Sequence, residues 1–533
     1  MKKAKSPSFV HSFEILPAKD EGFKNLFKTE DHGRRLYNAV LGKLRSRLKR
    51  VKSSKAWADA RLIPKGSKAR GLAFRTILEA EELTEYGAYD LATLLAKGSP
   101  DFKLWLGSHV IQKIGKRAYQ AIERLMHGKA KRIRFKRRND SFSFEGQNNA
   151  TFLRFLFDDE GRPYVRLGKI DYSVRYNADN HYDSHALGSR VKYVRIIQKR
   201  IKKKFRIFAQ LVLEGLPYQD LAKKVKHEEK LKLHFGEALQ TKLDNTWDDV
   251  VSIDYGPSKI AIATARVAYE VNLRAPFEKL SQKAKASQRA MSRSLRLGNP
   301  EAFKDGGKLK KGVKLKRSKN YEKLRLIHAE EERKVSETRK SFQGNLSNEI
   351  LCLGTTIKIE NISYRAMQRN FGKSIGKAAP ASLKGILSRK ASALGGSEEL
   401  INTYDTKLSQ TCICGAMKKK SLSERWHSCP CGFSMQRDEL SARLGVFTIN
   451  SQVVAGRKKK ISSRIDMKAA RLHIVSEGTF AKVEQALANG QGLSDGLSPE
   501  GGAAKPLETS IKNPIRKDLE PIGIHARWEA VFS

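Results

Sequence analysis

The spacing of hydrophobic positions changes several times along the chain. Residues 8–17 (SFVHSFEILP) alternate and predict a short strand. From about 22 to 128 the apolar residues recur every three to four positions, as in LTEYGAYDLATLLAKG and SHVIQKIGKRAYQAIERLMHG, and predict helices. At Lys129 the pattern breaks into a dense cationic run, KAKRIRFKRRND, followed by alternation at Ser141, Phe142, Ser143 and Phe144. Strand-like segments continue through TFLRFLF, YVRLGKI and VKYVRIIQKRIKKKFRIFAQLVLEG. In the last of these, Val194, Ile196, Ile201, Phe205, Ile207 and Ala209 form a side suited to burial, and Arg195, Lys199, Arg200, Lys202, Lys203, Lys204 and Arg206 form a cationic ridge. Phe135, Phe142, Phe144 and Phe205 lie among the cations. Their alternation assigns them to core packing ahead of base stacking.

A second pattern starts near residue 250. VVSIDYGPSKIAIATA reads as a strand, a Gly-Pro turn and a second strand, with a carboxylate closing the first. A charged helical stretch covers about 275–350 and is interrupted by the Gly- and Lys-rich loop FKDGGKLKKGVKLK. TTIKIENIS is a compact strand that also ends in a carboxylate, and QRDELSARLGVFTIN predicts a helix with an acid in its first turn. Beyond Asn450 the periodic signals weaken. GRKKK at 456–460 is a basic run, and 489–506 has linker composition. The chain shows no internal repeat, and the succession of elements implies a multidomain α/β plus β protein.

Charge narrows the function classes. Of 533 residues, 104 are Lys or Arg and 56 are Asp or Glu, a net charge of +48, while the hydrophobic share of 40% still permits a core. So much uncompensated charge repels itself unless a polyanion neutralises it, which points to nucleic acid and away from an ordinary small-molecule enzyme. The start of the sequence, MKKAKSP, does not read as a signal peptide, and no apolar run is long enough to span a membrane, so the expected setting is cytoplasmic and without a membrane partner.

Four of the five cysteines fall between 412 and 431. Cys412-Ile413-Cys414-Gly415 and Cys429-Pro430-Cys431-Gly432 are matched knuckles, each with a single-residue spacer and a glycine that permits a tight turn. Four thiolates fill a tetrahedral Zn²⁺ site and leave no open position, so the implied zinc is structural. His427 is expected to be a solvated loop residue and Cys352 a core residue.

Asp254, Glu360 and Asp438 are the candidates for chemistry. Singly, each has a local explanation as a turn, strand-end or helix N-terminal residue. In this order, two on strand ends and one on a helix directly after the knuckles, they match the acids of an RNase H-like nuclease core. Phosphodiester hydrolysis needs an activated water and a stabilised leaving oxygen. Two Mg²⁺ ions on such carboxylates supply both.

SIDYGPSKIAIA, IKIENIS, LSQTCICG, SERWHSCPCG and QRDELSA resemble the successive C-terminal motifs of TnpB proteins, transposon-encoded RNA-guided DNA nucleases related to the compact type V CRISPR effectors. The resemblance covers about 245–450, and more loosely 129–215, where RFKRRNDSFSF is similar to the family's basic wedge strands. It implies a RuvC-type core at 245–408 and 433–450 with a helical insertion at 275–350, and a zinc ribbon at 409–432. It further implies a basic β wedge module at 1–20 and 129–240, a helical recognition lobe at 21–128 and a basic, partly disordered region at 451–533. Asp254, Glu360 and Asp438 then correspond to the RuvC catalytic acids that hold Mg²⁺, and Cys412, Cys414, Cys429 and Cys431 to the ribbon's zinc ligands. The implied partners are a guide RNA with a structured scaffold and a target double-stranded DNA. Phosphate contacts are expected from Lys131, Arg132, Arg134, Lys136, Arg137 and Arg138, and from Arg195, Lys199, Arg200, Lys202, Lys203, Lys204 and Arg206. Ser388-Arg389-Lys390 and Lys418-Lys419-Lys420 are further backbone candidates.

Two other readings stay open on sequence: a non-catalytic zinc-ribbon nucleic-acid-binding accessory or repressor, and a guide-independent, transposase-type nuclease. The intact acidic trio favours the guided nuclease over the first of them.

Overall fold

Alternating burial along β-strands and stripes of Leu, Ile and Ala along helices close separate cores in two parts of the chain. A computed structural model describes residues 6–18, 21–138, 140–202, 204–236, 246–304, 306–421, 423–455 and 458–474. Lys203 and the C-terminal region after 474, with its linker-like segment, lie outside them. The chain divides into two compact units, Met1–Gln219 and Asp220–Ser533.

The first unit comprises β1 (Ser8–Ile15), α1 (Lys24–Ser53), α2 (Lys55–Leu62), α3 (Lys68–Ala80), α4 (Glu85–Lys97), α5 (Pro100–Trp105), α6 (Ser108–Met126), β2 (Phe144–Glu145), β3 (Leu153–Phe157), β4 (Pro163–Leu167), β5 (Ile170–Arg175), α7 (His181–Leu187), β6 (Val191–Ile201) and β7 (Lys204–Glu214). Its antiparallel sheet has the order β2-β6-β7-β1-β5-β4-β3. Leu36, Val40 and Leu44 of α1 and Ile114, Ala118 and Ile122 of α6 join Val194, Ile196, Ile207 and Ala209 of the hairpin in one continuous core.

The cationic run, which resembles basic wedge strands, forms no strand among its described residues, and of the alternating segment after it Phe144–Glu145 pairs, against Ile196 and Arg195. Adjacent cations would repel across a ladder, and the backbone finds side chains instead. Asn38 donates to the Lys136 carbonyl at 2.8 Å and accepts from its N–H at 2.9 Å, Arg117 donates to the Ser143 carbonyl, and Glu30 accepts from the Phe142 N–H. Phe142 and Phe144 are buried as expected. Phe135 and Phe205 are 43% and 49% exposed, against expectation, and Ile201 is only half-buried.

The second unit comprises α8 (Leu221–Phe235), β8 (Val250–Tyr255), β9 (Lys259–Ala263), β10 (Ala268–Asn272), α9 (Glu278–Leu297), α10 (Lys319–Leu353), β11 (Thr356–Glu360), α11 (Tyr364–Ala378), α12 (Pro380–Ala393), β12 (Glu398–Ile401), α13 (Thr403–Thr406), β13 (Trp426–Ser428), β14 (Ser434–Gln436), α14 (Arg437–Val446), β15 (Thr448–Ala455), β16 (Lys458–Ile465) and α15 (Met467–Ile474). Its five-stranded sheet has the order β10-β9-β8-β11-β12. β8, β9 and β10 form an antiparallel meander, while β11 is parallel to both β8 and β12. Val251, Ile253, Ile357 and Ile359 pack with Leu346 and Ile350 of α10 and Leu383 and Leu387 of α12. On the opposite face, Val250 and Ala261 pack with Leu440 and Leu444 of α14, in a core that also takes in Cys412 and Ile413. β16 and α15 lie where the sequence gave no clear periodicity. Among the described residues no helix is long and apolar enough to cross a membrane.

α14 is held at both ends and closely approached in between. The Gln436 side chain caps its N-terminus by accepting from the Glu439 N–H at 2.6 Å. At its C-terminal end, the buried Lys358 of β11 donates to the Val446 and Thr448 carbonyls at 2.9 and 2.5 Å and lies 4.8 Å from the centre of the Trp247 ring. A cation there complements the helix dipole. A Cβ added at Gly445 would sit 2.1 Å from the Ser252 hydroxyl, so a residue without one lets the helix lie on β8. Lys358→Met keeps the aliphatic volume but leaves buried carbonyls without a donor. It is expected to lower stability by ~1–3 kcal/mol, read from the denaturant midpoint, while Lys358→Arg retains part of the loss.

Candidate active site and metal centre

The two strand acids are brought together by the parallel pairing. Ile253 of β8 is in register with Ile359 of β11, so the next residues, Asp254 and Glu360, stand side by side at adjacent strand ends. Successive strand residues face opposite sides. Val251, Ile253 and Tyr255 enter one core, and Ser252 and Asp254 turn to the face on which α14 packs. Asp438 is in the first turn of α14 and completes the set of three carboxylates.

Their proximity registers as proton affinity. Burial, then repulsion from Glu360 and from Asp438, pushes the Asp254 carboxyl up to about 8. Burial pushes Glu360 up to about 6. Each folded-state carboxyl therefore holds its proton more tightly than the same group in water.

Asp438 is engaged differently. Arg437 donates to its Oδ1 through Nε and Nη2 at 3.0 and 2.9 Å, and Arg425 donates to Oδ2 at 3.1 Å. Arg437 also donates to the Ser421 and Glu424 carbonyls at 3.2 and 3.0 Å, which ties the segment before β13 to the start of α14. Local sequence points to neither arginine as a partner of the acid, beyond the position of Arg437 directly before Asp438.

Among the described residues, only Cys412, Cys414, Cys429 and Cys431 form a group of three or more His, Cys, Asp or Glu whose ligand atoms all lie within 4.8 Å of one another. The acidic trio is not such a group; what links it is the repulsion that Glu360 and Asp438 exert on Asp254. The sulfur geometry fits zinc. Cys412 and Cys431 are 3.7 Å apart and Cys414 and Cys429 3.6 Å, and a tetrahedron with Zn–S bonds of ~2.3 Å has edges of about 3.8 Å. The knuckles fold alike. Cys412 N–H donates to the Ala416 carbonyl and Cys429 N–H to the Phe433 carbonyl, at 2.8 and 3.0 Å, and the glycines Gly415 and Gly432 adopt φ of +93° and +86°. Arg471 of α15 donates to the Ile413 and Cys414 carbonyls at 2.9 and 3.0 Å, a support that the sequence did not signal.

Several sequence expectations need correction. His427 is buried on β13, not solvated, and its Nδ1 contacts the Lys420 ammonium, because the ribbon folds the segment before β13 over the ring. Lys420 is thereby committed. Lys390 is also turned inward, donating to the Gly344 carbonyl at 2.8 Å and to Asn348. Cys352 is half-buried and lines a cavity of about 320 Å³ with Trp247 and Arg266.

Of the expected phosphate contacts, Lys131, Arg132, Arg134, Arg137 and Arg138 are exposed and Lys136 is half-buried; none forms an ion pair with a described residue. Lys199, Lys202 and Lys204 are exposed, and Arg200 is half-buried. Arg195 pairs with Glu145 at 2.5 Å and Arg206 with Glu14 at 3.3 Å, so these two strand cations are partly neutralised in place.

The sequence matches no protein-family model and no curated protein. Solved structures that resemble it include two Cas12f complexes. The cryo-EM structure of a Cas12f1–sgRNA–target DNA complex is 12% identical, with a TM-score of 0.41, covering 83% of this chain and 98% of that one. A CRISPR–Cas12f ternary complex is 12% identical, with a TM-score of 0.28, covering 79% of this chain and 80% of that one.

Two outcomes are expected from this geometry. Elemental analysis of purified protein should find about one zinc per chain, and Cys412→Ser or a strong chelator should lower thermal stability with loss of that zinc. The raised carboxyls make folding take up protons between the ordinary carboxylate range and their folded values. Their stabilising contribution is therefore full below about pH 4 and is lost as pH rises through about 6 for Glu360 and about 8 for Asp254. Asp254→Asn should raise the stability of metal-free protein at pH 8 by on the order of a few kcal/mol relative to wild type. It should also flatten that pH dependence, as measured by denaturant unfolding at a series of pH values.

Proposed function

We propose that the chain is an RNA-guided DNA endonuclease that cleaves phosphodiesters by a RuvC-type mechanism. The observation that carries the reading is the adjacency of Asp254 and Glu360 at the ends of parallel β8 and β11, with Asp438 presented by the helix laid across β8. The sheet order, an antiparallel three-strand meander joined by two parallel strands, supports an RNase H-like core. The net charge of +48 supports a large nucleic-acid partner, and the motif resemblance supports a guide RNA and a double-stranded DNA target. Cas12f1, which the chain resembles loosely, is bound to sgRNA and target DNA in its solved structure.

In this reading Asp254, Glu360 and Asp438 would hold Mg²⁺. Two buried carboxylates side by side, whose repulsion raises the proton affinity of Asp254, are a donor set that would fit a divalent cation. The bound metal supplies an activated water and charge neutralisation at the leaving oxygen. Arg437 orients Asp438, and the cysteine centre fixes the segment from which Arg425 projects. The exposed cations at 131–138 and on the β6–β7 hairpin hold phosphate backbone, with base pairing reading sequence. One observation favours the non-catalytic reading: both oxygens of Asp438 are occupied by guanidinium groups.

Sequencing the RNA that copurifies with the protein should return one defined species with a scaffold and a variable guide. Given that RNA and matching DNA, wild type should cut in Mg²⁺, and Asp254→Ala should bind with unchanged affinity while cleavage falls by at least ~100-fold. Undiminished cutting by that variant removes the active-site assignment, and cutting that survives RNase favours the guide-independent nuclease.

A further inference from the structure

The β6–β7 hairpin carries an aromatic group that its core does not use. The residue pairs Val194–Leu211, Ile196–Ala209, Gln198–Ile207 and Arg200–Phe205 are in register along one face. Val194, Leu211, Ile196, Ala209 and Ile207 are buried. Past Ile207 the same face runs beyond the core, and Phe205 is 49% exposed. The Arg200 guanidinium lies over its ring, 4.1 Å from the centroid. Among the described residues Phe205 stacks on no other aromatic ring. Leaving a Phe in water forgoes the stabilisation that its burial gives, and nothing in the packing of the unit calls for it.

The surroundings identify what covers it. Lys199, Lys202 and Lys204 are exposed around the same turn, beside Arg206, whose charge Glu14 partly neutralises. An apolar protein partner would have to desolvate these cations, whereas a polyanion is attracted by them. A nucleic acid with a free base face matches both the ring and the charge, and duplex DNA keeps its base faces stacked inside the helix.

We propose that Phe205, backed by Arg200, is a stacking platform for an unpaired base of bound RNA. This rests on the RNA-binding part of the function proposed above and not on its nuclease part. Arg200 fixes the ring and adds cation–π attraction, while the neighbouring lysines hold the flanking phosphates.

The test uses the full chain and single-stranded RNA containing 2-aminopurine, titrated at several salt concentrations. Phe205→Ala should weaken binding about 5- to 100-fold and abolish the quenching of 2-aminopurine, with the dependence of affinity on salt unchanged. Phe205→Trp should restore both. Lys204→Gln should instead lower the salt slope by about 0.7. Inorganic polyphosphate, a polyanion without bases, should bind wild type and Phe205→Ala equally. Unchanged RNA affinity in Phe205→Ala overturns the platform, as does an equal loss on polyphosphate or a loss confined to duplex DNA. Failure of wild type to bind RNA overturns the RNA-binding reading along with it, whereas loss or retention of DNA cleavage bears on the acids alone.

Discussion

A buried ammonium under a short helix is the constraint on which the candidate site depends. α14 is ten residues long and would be marginal in isolation. Its position comes from contacts at its two ends and from Gly445 against Ser252, with Lys358 satisfying carbonyls that would otherwise be buried without donors. Burial lowers the proton affinity of Lys358, and the two carbonyls and the Trp247 ring offset the cost of keeping it charged. Lys358 and Glu360 lie two residues apart on β11 and so face the same side. One strand thus both anchors the C-terminal end of the helix and supplies an acid near its N-terminal end.

That anchoring explains why the three acids meet although they are far apart in the chain. Parallel pairing sets Asp254 beside Glu360, and the fixed helix turns Asp438 toward them. The resulting repulsion favours any arrangement that adds positive charge. One such source is at hand, the guanidinium groups on Asp438. Arg437, bonded to Asp438 and to the Ser421 and Glu424 carbonyls, ties the segment between the two cysteine knuckles to the start of α14.

The cationic surface in the first unit follows a different logic. The run after α6 is held irregular by Asn38, Arg117 and Glu30, which leaves its cations exposed along an extended chain. On the hairpin, by contrast, regular pairing places Arg195 against Glu145, and Arg206 near the turn pairs with Glu14. Charge in irregular backbone remains exposed, while part of the charge on the ladder is spent on neighbouring strands.

Local sequence was enough to determine most of the period-two strands, the helical runs and the paired cysteine knuckles with their glycines, and to single out three acids as candidates, because each is written within a few consecutive residues. It also gave the net charge, which is independent of fold. It misplaced His427, Phe205, Phe135 and Lys390, since whether a side chain is covered depends on segments distant in the chain: the folded-over ribbon, the edge of the first core and the packing of α10 on α12. Lys358 reads as one more surface lysine until α14 lies over it. The adjacency of Asp254 and Glu360 and the arginine contacts of Asp438 were likewise decided by tertiary structure alone. The β8–β11 pairing acts between residues 106 positions apart and the docking of α14 on Lys358 between residues 88 and 90 apart, a range over which a local pattern carries no register.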